Sequence, residues 1–158
     1  MEATATRLLR AVTASPGFNL AVVALLLNFP WKLLQAPLFE GMAAAAHSTV
    51  MAACLRGTLR DAVIMLLVHA SVAGVTRRRW VLAPSGCEVA GFVAVGVAIT
   101  EMIKWLAIRG PWVQSWAYSS EMPLIPGTGF GLSPLLQWVV LPAIALWFVR
   151  RQLAPAGR

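Results

Sequence analysis

The sequence predicts an all-α polytopic membrane protein, a bundle of four transmembrane helices with a structured external loop before the last helix. Composition is the first observation that indicates this class. Of the 158 residues, 59% are hydrophobic and 12% are charged, whereas soluble domains carry about 25% charged residues. The second observation is that four apolar windows meet the requirement of roughly 20 residues for crossing about 30 Å of hydrocarbon. These windows are 18–38, 61–76, 86–108 and 132–149.

The first window could be mistaken for a secretory signal, because Arg7 and Arg10 precede an apolar run that ends at Leu27. The nearest run of small residues, 43–46, lies too far downstream for cleavage after so short a core. We therefore interpret this window as a helix. The second window is the shortest, so we expect its true start upstream, within 52–58. The third is the longest, which allows it to tilt in the membrane.

Arginine placement predicts the orientation of the four spans. One side of the membrane receives both tails and the second connection, which together carry eight arginines against three on the other side. Because positive residues stay in the cytoplasm, both termini are predicted to be cytoplasmic. The arginines of the first side are Arg7, Arg10, Arg77, Arg78, Arg79, Arg150, Arg151 and Arg158, and those of the second are Arg56, Arg60 and Arg109.

This orientation divides the chain into a cytoplasmic tail (1–17), a transmembrane domain (18–149) and a second cytoplasmic tail (150–158). The net charge of +7 is then explained by topology and by contact with anionic lipids. A nucleic-acid partner would require a basic face on a soluble domain, and the sequence contains no such domain. The lipid bilayer is the predicted partner, and nucleic acid is not.

Polar residues inside the helices predict a pocket, since each charge in the membrane costs about 2.5 to 3.5 kcal/mol and marks function or pairing. Asn28, Lys32 and Gln35 are spaced by four and three residues, which places them on one helical face. Under the predicted topology the polar groups of all four helices fall in the outer half of the bilayer. The predicted ligand-binding residues are Asn28, Trp31, Lys32, Gln35, Glu101, Trp116, Tyr118, Gln137 and Trp138.

Glu101 and Asp61 are the candidate catalytic residues, and Glu101 is expected to belong to a shared polar cluster. Glu101 and Lys104 are three residues apart and could pair with each other, but Lys32 and Asp61 are also plausible partners across the bundle. A purely structural role is the alternative for Lys32, Gln35 and Lys104, because polar residues near helix ends also snorkel or hold bundles together.

The segment 111–131 is predicted to be a structured cap over this pocket. Its aromatic residues, Trp112, Trp116 and Tyr118, are typical of the headgroup level of a membrane. Its prolines stiffen the path, and its glycines allow tight turns. Ser133 before Pro134 is a good helix start, because proline in the first turn loses no backbone hydrogen bond.

Two motifs carry a resemblance to a known family. WxYSxxMPxxPGxGxGLSPLxQW in 116–138 and NxxWxxxQxPL in 28–38 are similar to those of a family of small, uncharacterised four-helix membrane proteins of bacteria. The resemblance implies the same architecture in the bacterial cytoplasmic membrane. In that family a glutamate usually follows the first tryptophan, and a His-Cys pair precedes the aspartate that matches Asp61. Lys32, Arg56 and Gly57 stand at those positions here, so the comparison implies no metal site.

Two classes of function follow from these residues. The first is a binding or accessory protein, such as a subunit of a protein complex, whose outer pocket recognises a lipid, a small ligand or a partner helix. The second is a membrane enzyme that acts on an isoprenoid or another lipid, with Glu101 or Asp61 as general acid or base. Phosphate-binding loops, HExxH zinc motifs and haem-type histidine pairs are lacking in the sequence, and the sequence identifies no cofactor.

Overall fold

The computed structural model describes residues 4, 6–7, 12–76, 80–109 and 117–153, and it describes no side chains at 101 and 104–109. Within these ranges the chain forms four long α-helices. We name them α1 (Pro16–Gln35), α2 (His47–Thr76), α3 (Gly86–Arg109) and α4 (Leu132–Leu153). Short 3-10 helices, Ala36–Leu38 and Trp80–Leu82, follow α1 and precede α3.

Three helical segments are long and apolar enough to cross a membrane. They are Pro16–Leu38, His47–Thr76 and Leu132–Leu153, while the apolar part of α3 within the described residues, Gly86–Thr100, is shorter. The prediction of an all-helical chain with transmembrane helices is confirmed to this extent. The fourth span and the external position of the last connection remain predictions.

The predicted start of the second helix was wrong. α2 begins at His47 rather than within 52–58, so Asp61 lies in the middle of the helix and does not open it. The residues before Asp61 are rich in good helix formers such as alanine, methionine and leucine. Arg56 and Arg60 lower the mean hydropathy of the residues just before Asp61. The predicted apolar window therefore began only at residue 61, although the backbone before it is helical.

Local sequence signals define the other helix starts. Pro16 occupies the first turn of α1, where its missing N–H costs no hydrogen bond. Ser85 and Glu88 form a reciprocal capping box before α3, with Glu88 Oε2 accepting from the Ser85 N–H at 2.7 Å and Ser85 Oγ accepting from the Glu88 N–H at 3.3 Å. Pro134 lies in the first turn of α4, as predicted, and the helix begins at Leu132.

The four helices pack in a ring. α1 contacts α2 and α4, and α3 contacts the same two helices from the other side. The core between them contains Trp80, whose ring centroid lies 5.6 Å from that of His69 and 5.4 Å from that of Phe92. Its further buried members include Leu20, Ala24, Met65, Val68, Ala145 and Val149. This apolar core lies toward the end of the ring that carries the connection from α2 to α3.

The two other connections meet at the opposite end of the ring. Phe39 and Tyr118 form an antiparallel bridge, with the Glu40 N–H donating to Ala117 O at 2.9 Å and the Ser119 N–H donating to Leu38 O at 3.0 Å. We call residues 117–131 the strap. These bonds hold it to residues 38–40, just after α1, and its role as an external cap over the pocket stays a prediction.

The strap closes on itself before α4 begins. Leu124 and Gly131 form a second bridge, and Gly127 and Gly129 between them have φ angles of 76° and 71°. Such positive φ values suit glycine because a Cβ atom would be strained there. Of the predicted aromatic belt, Tyr118 is part of the strap, whereas Trp112 and Trp116 lie outside the described residues.

Candidate functional site

Gln137 on α4 is the centre of a buried polar cluster. Its Nε2 atom donates to Asn28 Oδ1 and to Asp61 Oδ2, each at 2.6 Å. Its Oε1 atom accepts from Lys32 Nζ and from Gln35 Nε2, each at 3.2 Å. These four bonds use both donors and both lone pairs of the amide. A single side chain, 2% exposed, therefore joins α1, α2 and α4. We call Asn28, Lys32, Gln35, Asp61 and Gln137 the polar cluster.

The cluster contains an ion pair between α1 and α2. Lys32 Nζ lies 2.7 Å from Asp61 Oδ2, and the two side chains are 16% and 2% exposed. A buried pair is tolerated when further hydrogen bonds satisfy its partners, and Gln137 supplies one to each. Arg60 adds only a long contact, 3.9 Å from its Nε atom to Asp61 Oδ1.

A glycine on α2 admits the lysine. A Cβ atom added to Gly57 would lie 3.4 Å from Lys32 Cε and 3.6 Å from Lys32 Cδ, so the aliphatic stem of the lysine rests on the bare backbone of α2. Gly57 precedes Asp61 by one turn, and the lysine therefore reaches Asp61 along the surface of the same helix.

Two further bonds extend the cluster. Ser133 Oγ donates to Gln35 Oε1 at 3.1 Å, and Asn28 Nδ2 donates to the Ala24 carbonyl one turn earlier at 2.7 Å. Ser133, expected only as a helix start, therefore also ties the beginning of α4 to the end of α1.

A cleft of about 1050 Å³ opens beside the polar cluster. Lys32, Gln35, Asp61 and Gln137 line its polar side. The segment after α1, the first half of α2, α3 and α4 contribute its apolar walls. The main apolar side chains are those of Ala36, Phe39, Met42, Ala53, Ile64, Ile103 and Trp138.

The structure unites most of the predicted site residues. All five members of the polar cluster were predicted, and Tyr118 and Trp138 line the cleft. Trp138 is also a packing residue, since a Cβ atom on Gly96 of α3 would lie 2.5 Å from its Cζ3 atom.

Among the described residues of the predicted site, Trp31 neither joins the polar cluster nor lines the cleft. Its buried Nε1 atom has no hydrogen-bond partner among the described residues. The side chain of Glu101 and all of Trp116 lie outside the described residues, as does the side chain of Lys104. The expectation that Glu101 joins the cluster therefore stays a prediction.

Arg56 and Arg60 are cleft residues that sequence reasoning assigned to topology alone. Both line the cleft, and both precede Asp61 on the same helix. Their spacing of four residues was the available signal, because it places two cations on one helical face. This signal was missed because Arg56 and Arg60 were assigned to the loop before the second predicted helix and were counted only for the orientation of the chain.

Across the described ranges, no group of three His, Cys, Asp or Glu side chains is arranged to hold a metal ion.

No known family model matches the sequence, and no curated protein or solved structure shows a significant match. The family resemblance based on the two motifs stays a prediction, and the chemistry of the cleft is the basis for a functional conclusion.

Proposed function

We propose that this chain is an integral membrane protein that binds an amphipathic lipid-like ligand, such as a phospholipid or an isoprenoid, and serves as a binding or accessory subunit. The main support for this proposal is that the cleft combines a hydrogen-bonded polar cluster with apolar walls. A ligand with a polar head and a hydrocarbon tail matches both surfaces. The volume of about 1050 Å³ slightly exceeds the range of about 300 to 1,000 Å³ that is usual for ligand pockets.

The bonds within the polar cluster would hold its side chains in place for a ligand. The buried groups of Asn28, Gln35 and Gln137 already have partners within the protein, so a ligand would not have to order them. A rigid polar wall lowers the entropic cost of binding. Four of its side chains nevertheless line the cleft, where a ligand head can contact them.

We further propose that the protein crosses the bacterial cytoplasmic membrane four times, with both termini in the cytoplasm. The arginine bias of eight to three supports this orientation. The cleft lies at the end of the ring where α1 meets the strap. In this orientation that end belongs to the outer half of the bilayer.

A membrane enzyme that acts on an isoprenoid or another lipid is the second candidate. It is favoured by the position of Asp61, a carboxylate that is 2% exposed and yet lines the cleft. Its Oδ2 atom is engaged by Lys32 and Gln137, which leaves Oδ1 as the atom for proton transfer to or from a substrate. Glu101 is the other candidate for this role.

Native mass spectrometry of protein purified in mild detergent tests the binding proposal. We expect a co-purifying lipid on the wild-type protein and its loss from Ala53→Trp, because Ala53 lines the cleft and an indole would occupy it. Ala90→Trp on the exposed face of α3 is the matched control and should retain the lipid. Equal lipid occupancy in both variants would contradict the proposal.

The same preparations separate the binding protein from the enzyme. A binding protein returns the added lipid unchanged in both wild type and Asp61→Asn. An enzyme converts the lipid in wild type and stops converting it in a Glu101→Gln variant that melts normally. For Asp61→Asn, which is expected to be less stable, the rate is taken per folded protein at a temperature below its melting transition.

A further inference from the structure

We infer that the ligand of the cleft carries a phosphate group and that Arg56 and Arg60 hold it, so that the occupant is a phosphate-headed lipid. This inference rests on the proposed function and specifies the ligand. Both arginines line the cleft. Their spacing of four residues on α2 directs them to one face of the helix.

These two guanidinium groups are incompletely neutralised. Among the described side chains, Arg60 has one carboxylate within 4 Å, that of Asp61 at 3.9 Å, and Arg56 has none. Asp61 itself is already committed to Lys32 at 2.7 Å. Both arginines therefore retain donors that a ligand can occupy.

The described residues that line the cleft carry a net positive charge. Lys32, Arg56 and Arg60 contribute three positive charges, and Glu40 and Asp61 contribute two negative charges. Since Lys32 and Asp61 neutralise each other, two arginines face one glutamate. An anion in the cleft removes this imbalance, whereas a cationic head would increase it.

The depth of the arginines indicates a lipid phosphate. The 30 residues of α2 extend about 45 Å, which exceeds the hydrocarbon thickness of about 30 Å. The excess of about 15 Å corresponds to roughly the first ten residues of α2, so Arg56 can lie at the headgroup level. Arg60, one turn deeper, reaches toward that level with its long side chain. The planar guanidinium group of arginine donates pairs of N–H bonds that fit phosphate oxygens.

Thr100 supplies an independent indication of a polar ligand. It lines the same cleft from α3, and its buried Oγ1 atom has no hydrogen-bond partner among the described residues. Buried hydroxyl groups in proteins are normally bonded. An oxygen atom of a ligand head would satisfy this hydroxyl group.

A lipid series with one set of acyl chains tests the inference on the purified full-length protein. We expect phosphatidic acid to bind at least about tenfold more tightly than diacylglycerol, because each charged hydrogen bond contributes about that factor or more. Arg56→Gln and Arg60→Gln should each weaken phosphatidic acid binding by roughly tenfold and leave diacylglycerol binding unchanged.

Arg150→Gln is the matched control, since Arg150 is exposed in the last turn of α4, away from the cleft. It should not change the affinity for either lipid. Arg56→Lys should keep part of the affinity through its charge and serves as the second variant if Arg56→Gln does not fold. A melting curve of each variant establishes that it is folded.

The outcomes separate this inference from the proposed function. Equal affinity for phosphatidic acid and diacylglycerol, or equal weakening by Arg150→Gln, overturns the phosphate inference while lipid binding stands. Binding of inorganic phosphate with the same dependence on Arg56, but of no lipid, overturns both the lipid identity and the proposed function. Binding of neither lipid nor phosphate likewise overturns both.

Discussion

Lys32 on α1 and Asp61 on α2 form an ion pair of 2.7 Å whose two members also hydrogen-bond to the same glutamine, Gln137 on α4. The amide thus bridges two opposite charges, donating to the carboxylate and accepting from the ammonium group. Both charges are therefore paired, which matters because an unpaired charge in an apolar environment costs several kcal/mol. The arrangement fixes the relative positions of three helices and forms the polar side of the cleft.

We predict strong coupling between Lys32 and Asp61. Lys32→Met and Asp61→Asn should each lower the free energy of unfolding by about 3 to 5 kcal/mol, because each alters one partner of a buried pair. The double variant should lose clearly less than the sum of the two. Titration of the protein from mild detergent into sodium dodecyl sulfate measures these energies. Strictly additive losses would argue against the pair.

Arg60→Gln is the control for this cycle. Arg60 Nε is 3.9 Å from Asp61 and its side chain is 45% exposed, so the change should cost no more than about 1 kcal/mol. A loss as large as that of Lys32→Met would mean that Arg60, rather than Lys32, is the main partner of Asp61.

Gln137→Met should lower the free energy of unfolding by about 2 to 4 kcal/mol, since it leaves buried polar partners on α1 and α2 unsatisfied. Gln152→Met, at an exposed position near the end of the same helix, changes the same atoms and should have little effect. Thermal unfolding of both variants in one detergent provides the comparison. Similar melting temperatures would contradict the central role of Gln137.

Gly96→Ala should destabilise the contact between α3 and α4. The added Cβ atom would lie 2.5 Å from Trp138 Cζ3, and such overpacking costs about 1 to 3 kcal/mol. Gly91→Ala on the same helix meets no atom within 4 Å and should be neutral or slightly stabilising, because alanine favours a helix. The difference in melting temperature between these two variants is the measurement, and a reversed order would contradict the packing.

The strap should be cross-linkable to the segment after α1. Phe39→Cys combined with Tyr118→Cys, in a Cys87→Ser background, should form a disulfide under mild oxidation, because paired residues on antiparallel strands bring their Cβ atoms close together. Phe39→Cys with Leu124→Cys is the control, since Leu124 bridges Gly131 instead. Non-reducing gels report the product. Equal cross-linking of both pairs would show that the strap is not held at Phe39.

The orientation of the chain is tested with reporters. A reporter fused after Arg158 should be cytoplasmic and one inserted near Gln114 should be external, because the arginine bias determines the topology. A cytoplasmic reporter at Gln114 together with an external one at Arg158 would place the cleft in the inner half of the membrane.

The sequence by itself determined the helical class and the candidate members of the polar cluster. Long apolar segments are detectable because membrane insertion depends on local composition. The face of α1 that carries Asn28, Lys32 and Gln35 follows from residue spacing alone. The capping box at Ser85 and Glu88 is a local signal for the start of α3 that the sequence-based prediction did not use, although it needs only a serine followed three residues later by glutamate.

Only the tertiary structure decided which groups pair. Local spacing allowed Glu101 with Lys104 as readily as Lys32 with Asp61, and it gave no reason for Gln137 to lie between two charges. Hydrogen-bond partners on different helices depend on how those helices are rotated and offset relative to one another. That arrangement is set by packing contacts distant in sequence, such as Gly57 against Lys32, and a pattern within one helix does not contain it.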